Sequence, residues 1–308
     1  MDVVIPISER DINTILKVSD YFFDNLETNK IVIIGKESLK NNFKDTKKYH
    51  FIDEDSLYQG LSYDNIKNII KKINSNAIRR TGWYLQQFLK MAYAYCCQDD
   101  CYLVWDSDTI PLKKITFKNN KNQYLYSLKN EFYEPYFASM NTLIPKMSKR
   151  NTQGSYITEH MIFDVNIMKT LIKDMEDNDD IEGSFFYEKI LNSIKPEVLS
   201  LSGFSEFETY GTYVFNFYNN EYSYRLLKPM RYGRIYFGNT LPEKYFTWVS
   251  KSYDTISFEH FDRKWILIGI LLPLLSKRFS MAEVDNVVGP IIDLSHKVRR
   301  IIKELVKR

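Results

Sequence analysis

Up to residue 108 the chain alternates short apolar runs with amphipathic stretches, and few folds accept that pattern. VVIPI (3–7), KIVIIGK (30–36), YHFID (49–53) and CYLVWDSD (101–108) read as strands. ISERDINTILKVSDYFFDN supplies a cap and a helix, and SYDNIKNIIKKINS places Ile66, Ile69, Ile70 and Ile73 on one helical face. WYLQQFLKMAYAYC forms another helix just before the fourth strand. Strands alternating with helices predict an α/β chain whose sheet is mainly parallel, with right-handed crossovers. Beyond Pro111 the pattern changes. KNQYLYSLKN and MNTLIP read as shorter strands, FDVNIMKTLIKDMEDN and SFFYEKILNSI as helices. Aromatic residues crowd positions 204–248, either as stacking surface or as a strand-rich core.

The fourth strand runs into its polar end as YLVWDSDT (102–109). In extended backbone, positions two apart point the same way. Asp106 and Asp108 would then aim at one spot and repel unless a cation sits between them. Mg²⁺ and Mn²⁺ prefer hard carboxylate oxygens and commonly bridge to phosphate. The carboxyl end of a strand is also where open α/β sheets bind ligands. A solvated strand exit is the plainer alternative.

The 308 residues suffice for one large domain or two small ones, with 44% hydrophobic and 26% charged side chains. A net charge of +3, with no basic run interleaved with aromatics, argues against a nucleic-acid partner. Cys96, Cys97 and Cys101 crowd one short segment. They make no disulfide framework and lack zinc spacing, so they read as buried small apolar residues in a reducing cytoplasm. The N-terminus has no signal-peptide pattern, and no run reaches the roughly 18–20 apolar residues of a spanning helix.

On the helix beginning at Trp83, residues Leu85, Phe88, Leu89, Ala92 and Cys96 share one side at about 100° per residue. Trp83, Gln86, Gln87 and Lys90 fall on the other, preceded by Arg79 and Arg80. That set suits phosphate and ribose oxygens, with arginine able to grip phosphate through two hydrogen bonds.

The blocks RRTGWYLQQFLKMA (79–92), YLVWDSDTIPL, TEHMIF (158–163) and SEFETYG (205–211), in this order, resemble a family of bacterial glycosyltransferases from capsule and lipopolysaccharide gene clusters. The resemblance covers about residues 1–250. It implies a GT-A fold, in which a single mostly parallel, Rossmann-like sheet is flanked by helices. It also implies a nucleotide-sugar donor, a UDP-sugar foremost, and Mn²⁺ or Mg²⁺. By that likeness Asp106 lies near donor ribose and metal, and Asp108 binds the metal that bridges the diphosphate. Late histidines can complete such a metal shell, which makes His260 a third ligand candidate.

Transfer from a nucleoside diphosphate builds negative charge on the leaving group, which a metal and nearby cations neutralise. An inverting enzyme, slightly favoured here, also needs a carboxylate to deprotonate the acceptor hydroxyl. Glu206 and Glu208 flank Phe207 in what reads as an aromatic-rich loop, with Glu208 the preferred base. Glu159 and His160 form a second pair for the donor or acceptor sugar. A haloacid-dehalogenase-like phosphatase using Asp106 as nucleophile is the sharpest rival. A non-catalytic sugar-binding protein is another.

Residues 1–262 thus read as the catalytic domain, with a nucleotide-binding half to about 112 and an acceptor half over 113–262. Residues 263–308 form an amphipathic helical tail. Its apolar run Trp265–Leu275 is bracketed by Arg263, Lys264, Lys277 and Arg278, and PIIDLSHKVRRIIKELVKR follows. The expected partners are the nucleotide-sugar donor, a glycan or lipid-linked acceptor and an anionic membrane surface. The expected location is the cytoplasm, peripheral on the inner face of the cytoplasmic membrane.

Overall fold

A computed structural model describes residues 1–28, 30–147 and 150–306; side chains at 300, 301 and 303–306, which include the cations and apolar positions expected at the end of the tail, lie outside the described part. In chain order the elements are β1 (Asp2–Pro6), α1 (Ile12–Asn25), β2 (Lys30–Gly35), β3 (Tyr49–Asp53), α2 (Tyr63–Ile73), α3 (Thr81–Ala92) and β4 (Cys101–Trp105). Then come β5 (Thr109–Pro111), β6 (Tyr124–Ser127), α4 (Glu134–Leu143), β7 (His160–Asp164), α5 (Val165–Glu176), α6 (Phe186–Ser193) and α7 (Pro196–Leu199). The chain closes with α8 (Glu206–Phe217), β8 (Tyr222–Arg225), β9 (Pro229–Met230), α9 (Gly233–Phe237), α10 (Glu243–Ser250), β10 (Thr255–Ser257), α11 (Ile266–Leu275) and α12 (Met281–Val306).

These elements form two compact units, one of residues 1–16, 27–107 and 116–226, the other of residues 17–26, 108–115 and 227–308. The first holds a five-stranded sheet in the order β3-β2-β1-β4-β7. Pairs among β1 to β4 are parallel, and β7 runs antiparallel to β4 with Trp105 opposite His160. Every residue of β4 is buried, as a central strand covered on both faces requires. The expected mainly parallel α/β sheet is therefore present. It is not the single sheet, because β6 and β8 pair separately and β5, β10 and β9 form a third sheet.

That third sheet belongs to the second unit. It joins Thr109–Pro111 to residues beyond 226, so the compact units divide at 226/227, whereas the sequence draws its line at 262.

Several local readings change. MNTLIP is the end of helix α4 rather than a strand. Residues 206–217 are helix α8, and its aromatics Phe207, Tyr210 and Tyr213 are buried. That part of the aromatic crowding is core, while Phe217 at the end of the helix is exposed. Cys97 and Cys101 are buried as expected, but Cys96 is exposed. Its position comes after α3 has ended, so the helical wheel no longer describes it.

Candidate active site

Helix α3 carries the organising side chains of the first unit. Tyr84, Gln87 and Lys90 are spaced by three and share one helical face. The Tyr84 hydroxyl donates to the Leu199 carbonyl at 3.1 Å and accepts from the Gly203 N–H at 3.2 Å. The Gln87 side-chain oxygen accepts from the Glu206 N–H at 3.2 Å. Lys90 Nζ donates to Asp106 Oδ1 and to Glu206 Oε1, both at 2.6 Å. Of the face read as a ligand surface, Gln87 and Lys90 are buried and hold Glu206, whereas Trp83 and Gln86 are half-buried.

The electrostatics follow from that burial. The Lys90 and Glu206 side chains are 3% and 5% exposed, against 33% for Asp106. An isolated ammonium at such a depth would lose its proton. Burial pulls the Lys90 pKa down, but Asp106 and Glu206 outweigh it and hold the group above its ordinary value. Burial pushes Asp106 above the usual carboxylate value, against the opposing pull of Lys90. Asp106 is thus the outward member of a buried carboxylate–ammonium–carboxylate chain at the carboxyl end of β4.

A cleft of about 850 Å³ lies in the same unit, lined among others by Arg79, Arg80, Tyr133, Tyr136, Ile157 and Ser202. The Arg80 guanidinium rests 4.1 Å over the Trp83 ring, and its Nη2 donates to Ser202 Oγ at 3.1 Å. Burial, and after it the charge of Glu206, raise the Tyr136 phenol pKa. Tyr133, Tyr136 and Ser202 are the contributors that sequence reading missed. Their segments carry no motif, and only tertiary packing sets them beside Arg79 and Arg80.

Glu206 and Glu208 sit in the first turn of a helix, not in a loop. The signal was present: Ser205 caps α8, its Oγ accepting from the Glu208 N–H at 3.2 Å. Glu208 is 1% exposed. Its Oε2 accepts from the Tyr156 N–H at 2.9 Å and its Oε1 from the Thr212 hydroxyl at 3.5 Å. Burial raises its pKa to about 7, against these hydrogen bonds. Glu206 therefore joins the Asp106 network, and the preferred base Glu208 faces the backbone at Tyr156.

Glu159 and His160 stay together but point to different partners. Glu159 pairs with Lys129. His160 is buried, stacked on Trp105 at 4.4 Å and 16°, with Arg225 Nη2 3.2 Å from its Nε2. Burial, then Arg225 and Lys129, drive its pKa well below the ordinary histidine value, so it is a neutral core ring.

In the second unit, Asp108 lies in a turn rather than in extended backbone, and its carbonyl accepts from the Phe258 N–H at 2.8 Å. The extended backbone on which the same-direction expectation rests does not continue through residue 108. His260 is exposed with Arg234 Nη1 3.3 Å from its Nδ1, a cationic neighbour that opposes a metal-ligand role. Among the described residues, no three His, Cys, Asp or Glu side chains gather to hold a metal ion. The donor set the motif offers is two carboxylates, whose hard oxygens fit Mn²⁺ or Mg²⁺ completed by phosphate oxygens.

Fold and site define an α/β protein with a mainly parallel sheet flanked by helices and a charged network at the sheet's carboxyl edge. The chain belongs to a family of unknown function (DUF6492), which it matches over residues 12–228. No curated protein matches it in sequence. It is similar in structure to the galactosyltransferase LgtC in complex with donor and acceptor sugar analogs (TM-score 0.42, 9% identity, 84% of this chain and 87% of that one). Mouse xyloside xylosyltransferase 1 in its apo form follows (TM-score 0.37, 10% identity, 83% and 97%). So does the apo glycosyltransferase GlyE of Streptococcus pneumoniae TIGR4 (TM-score 0.38, 12% identity, 86% and 55%).

Proposed function

We propose that this protein is a metal-dependent glycosyltransferase of GT-A type. It would move a sugar from a nucleoside diphosphate, a UDP-sugar foremost, to a glycan or lipid-linked acceptor in bacterial surface polysaccharide synthesis. The observation that carries this reading is the Lys90 ammonium bonded at 2.6 Å to both Asp106 and Glu206, in the unit whose cleft is lined by Arg79 and Arg80. Loss of a diphosphate leaving group needs positive charge held in place beforehand, and fixed charges provide it without reorganisation.

In this reading Asp106 and Asp108 would hold the divalent ion, which supplies charge neutralisation at the diphosphate. Lys90 keeps Asp106 in one position, and Gln87 fixes the start of α8 behind it. Arg79 and Arg80 hold phosphate oxygens, with Arg80 oriented by Trp83 and Ser202. Glu206, joined to that network, is the first carboxylate to test as proton acceptor for an inverting transfer; a retaining transfer would not use one. Work at the inner face of the cytoplasmic membrane would suit a lipid-linked acceptor.

A panel of UDP-, GDP- and CMP-sugars, with Mn²⁺ or with EDTA, tests the proposal by thermal stabilisation and by release of free nucleotide. Stabilisation by one nucleotide class that requires the metal supports it. Hydrolysis of simple phosphate esters with no sugar transfer, lost in Asp106→Asn, would favour the phosphatase instead.

A further inference from the structure

The second unit leaves two helices with apolar faces that nothing in that unit covers. Every residue of α11 is apolar. Ile268 and Leu272 point inward and are buried. Ile266, Leu267 and Ile270 are 78%, 69% and 69% exposed, and Leu271 and Leu274 also face out. A helix with a satisfied inner face and an equally apolar outer face is not explained by folding of the unit itself.

The following helix repeats the arrangement. Met281, Val284 and Ile292 bury its inner side. Polar contacts fix it there: the Tyr236 and Tyr253 hydroxyls each donate to Asp285 at 2.7 Å, and His296 meets Asp262 at 2.9 Å. Yet Val287, Ile291, Leu294, Val298 and Ile302, at helical spacing, form an exposed stripe. The face that a docked amphipathic helix would bury is the one this helix presents outward.

Charge selects the occupant. Arg263 and Lys264 precede α11, Lys277 and Arg278 follow it, and all four are exposed. On α12 the exposed charges are mixed, with Glu283 and Asp293 as well as Lys297 and Arg299. The Lys264 stem lies across Gly269, where an added Cβ would come within 2.7 Å of it. The apolar α11 face, bracketed by four cations, fits a sheet of anionic headgroups over hydrocarbon, whereas a second copy of the chain would bring the same cations face to face. No described helix is long and apolar enough to cross a membrane, so such contact would lie in the interface.

We infer that the outward faces of α11 and α12 form a docking surface for an anionic membrane, with α11 entering the acyl boundary and α12 lying along the headgroups. The inference holds whether or not the chain transfers sugars.

The full-length chain is floated with vesicles of phosphatidylcholine alone and of phosphatidylcholine with phosphatidylglycerol, at low and high salt. The inference expects binding to the anionic vesicles, weakened about tenfold or more by high salt and by neutral lipid. Ile270→Glu with Leu274→Glu changes only exposed positions, so circular dichroism and melting should be unchanged while vesicle binding falls about tenfold or more. Ile291→Glu with Leu294→Glu should give a smaller loss. No binding by the wild type, or equal binding by the folded variants, overturns the inference. Analytical ultracentrifugation supplies the other arm: a wild-type dimer that both variant pairs dissociate, without lipid binding, would assign the surface to a second copy.

Discussion

Lys90 Nζ lies 2.6 Å from Glu206 Oε1, joining residues 116 positions apart in the chain. The same ammonium holds Asp106 at 2.6 Å, so one buried cation fixes both the end of β4 and the start of α8. Removing one partner of a buried pair leaves an uncompensated charge and typically costs about 3–5 kcal/mol. Lys90→Met is therefore expected to destabilise the protein by roughly that amount in urea unfolding, because two carboxylates then repel. Adding Glu206→Gln should recover part of the loss. A double variant no more stable than the single one would contradict the charge account.

The two glutamates of α8 should separate by experiment. Glu206→Gln should lower turnover with donor affinity kept, if that carboxylate takes the acceptor proton. Glu208→Gln should act on stability instead, since Glu208 faces Tyr156 and Thr212. Loss of turnover in Glu208→Gln alone would restore it as the base.

Glu208 also sets a pH signature. Its pKa is raised from 4.5 to about 7, so the folded protein prefers the protonated form. That contribution is fully present below about 4.5 and is lost as pH rises through about 7. Relative to Glu208→Gln, wild-type stability should fall by roughly 3 kcal/mol across that window. Parallel stability-versus-pH curves for the two proteins would rule out the raised value.

Asp108→Ala should abolish metal-dependent nucleotide binding and slow transfer by at least about 10²-fold, with the fold intact. Titration of Mn²⁺ and nucleoside diphosphate by calorimetry reads the binding directly. Undiminished metal-dependent binding would remove Asp108 from the site.

Gly211 should not tolerate a side chain. A Cβ there would lie 2.2 Å from the Tyr156 ring. Gly211→Ala should cost about 1–3 kcal/mol or more in chemical denaturation. A neutral effect would mean that Tyr156 moves away freely.

The sequence by itself determined the local elements of the first hundred residues. The 3.6-residue apolar spacing of α2 and the apolar runs of β1, β2 and β4 need only neighbouring residues to be read, and the sheet followed from their alternation. The position of Asp106 at a strand end was legible for the same reason. The start of α8 was also written locally, in Ser205 three residues before Glu208, but aromatic density pointed away from it. Only the tertiary structure decided what Lys90 faces, because charge pairing over 116 residues depends on which helix covers which strand. It alone placed Tyr133, Tyr136 and Ser202 beside Arg80, and turned Glu208 toward the Tyr156 amide. It also decided which apolar faces are buried: Ile268 and Ile270 are the same residue two positions apart, and only packing makes one core and leaves the other outside.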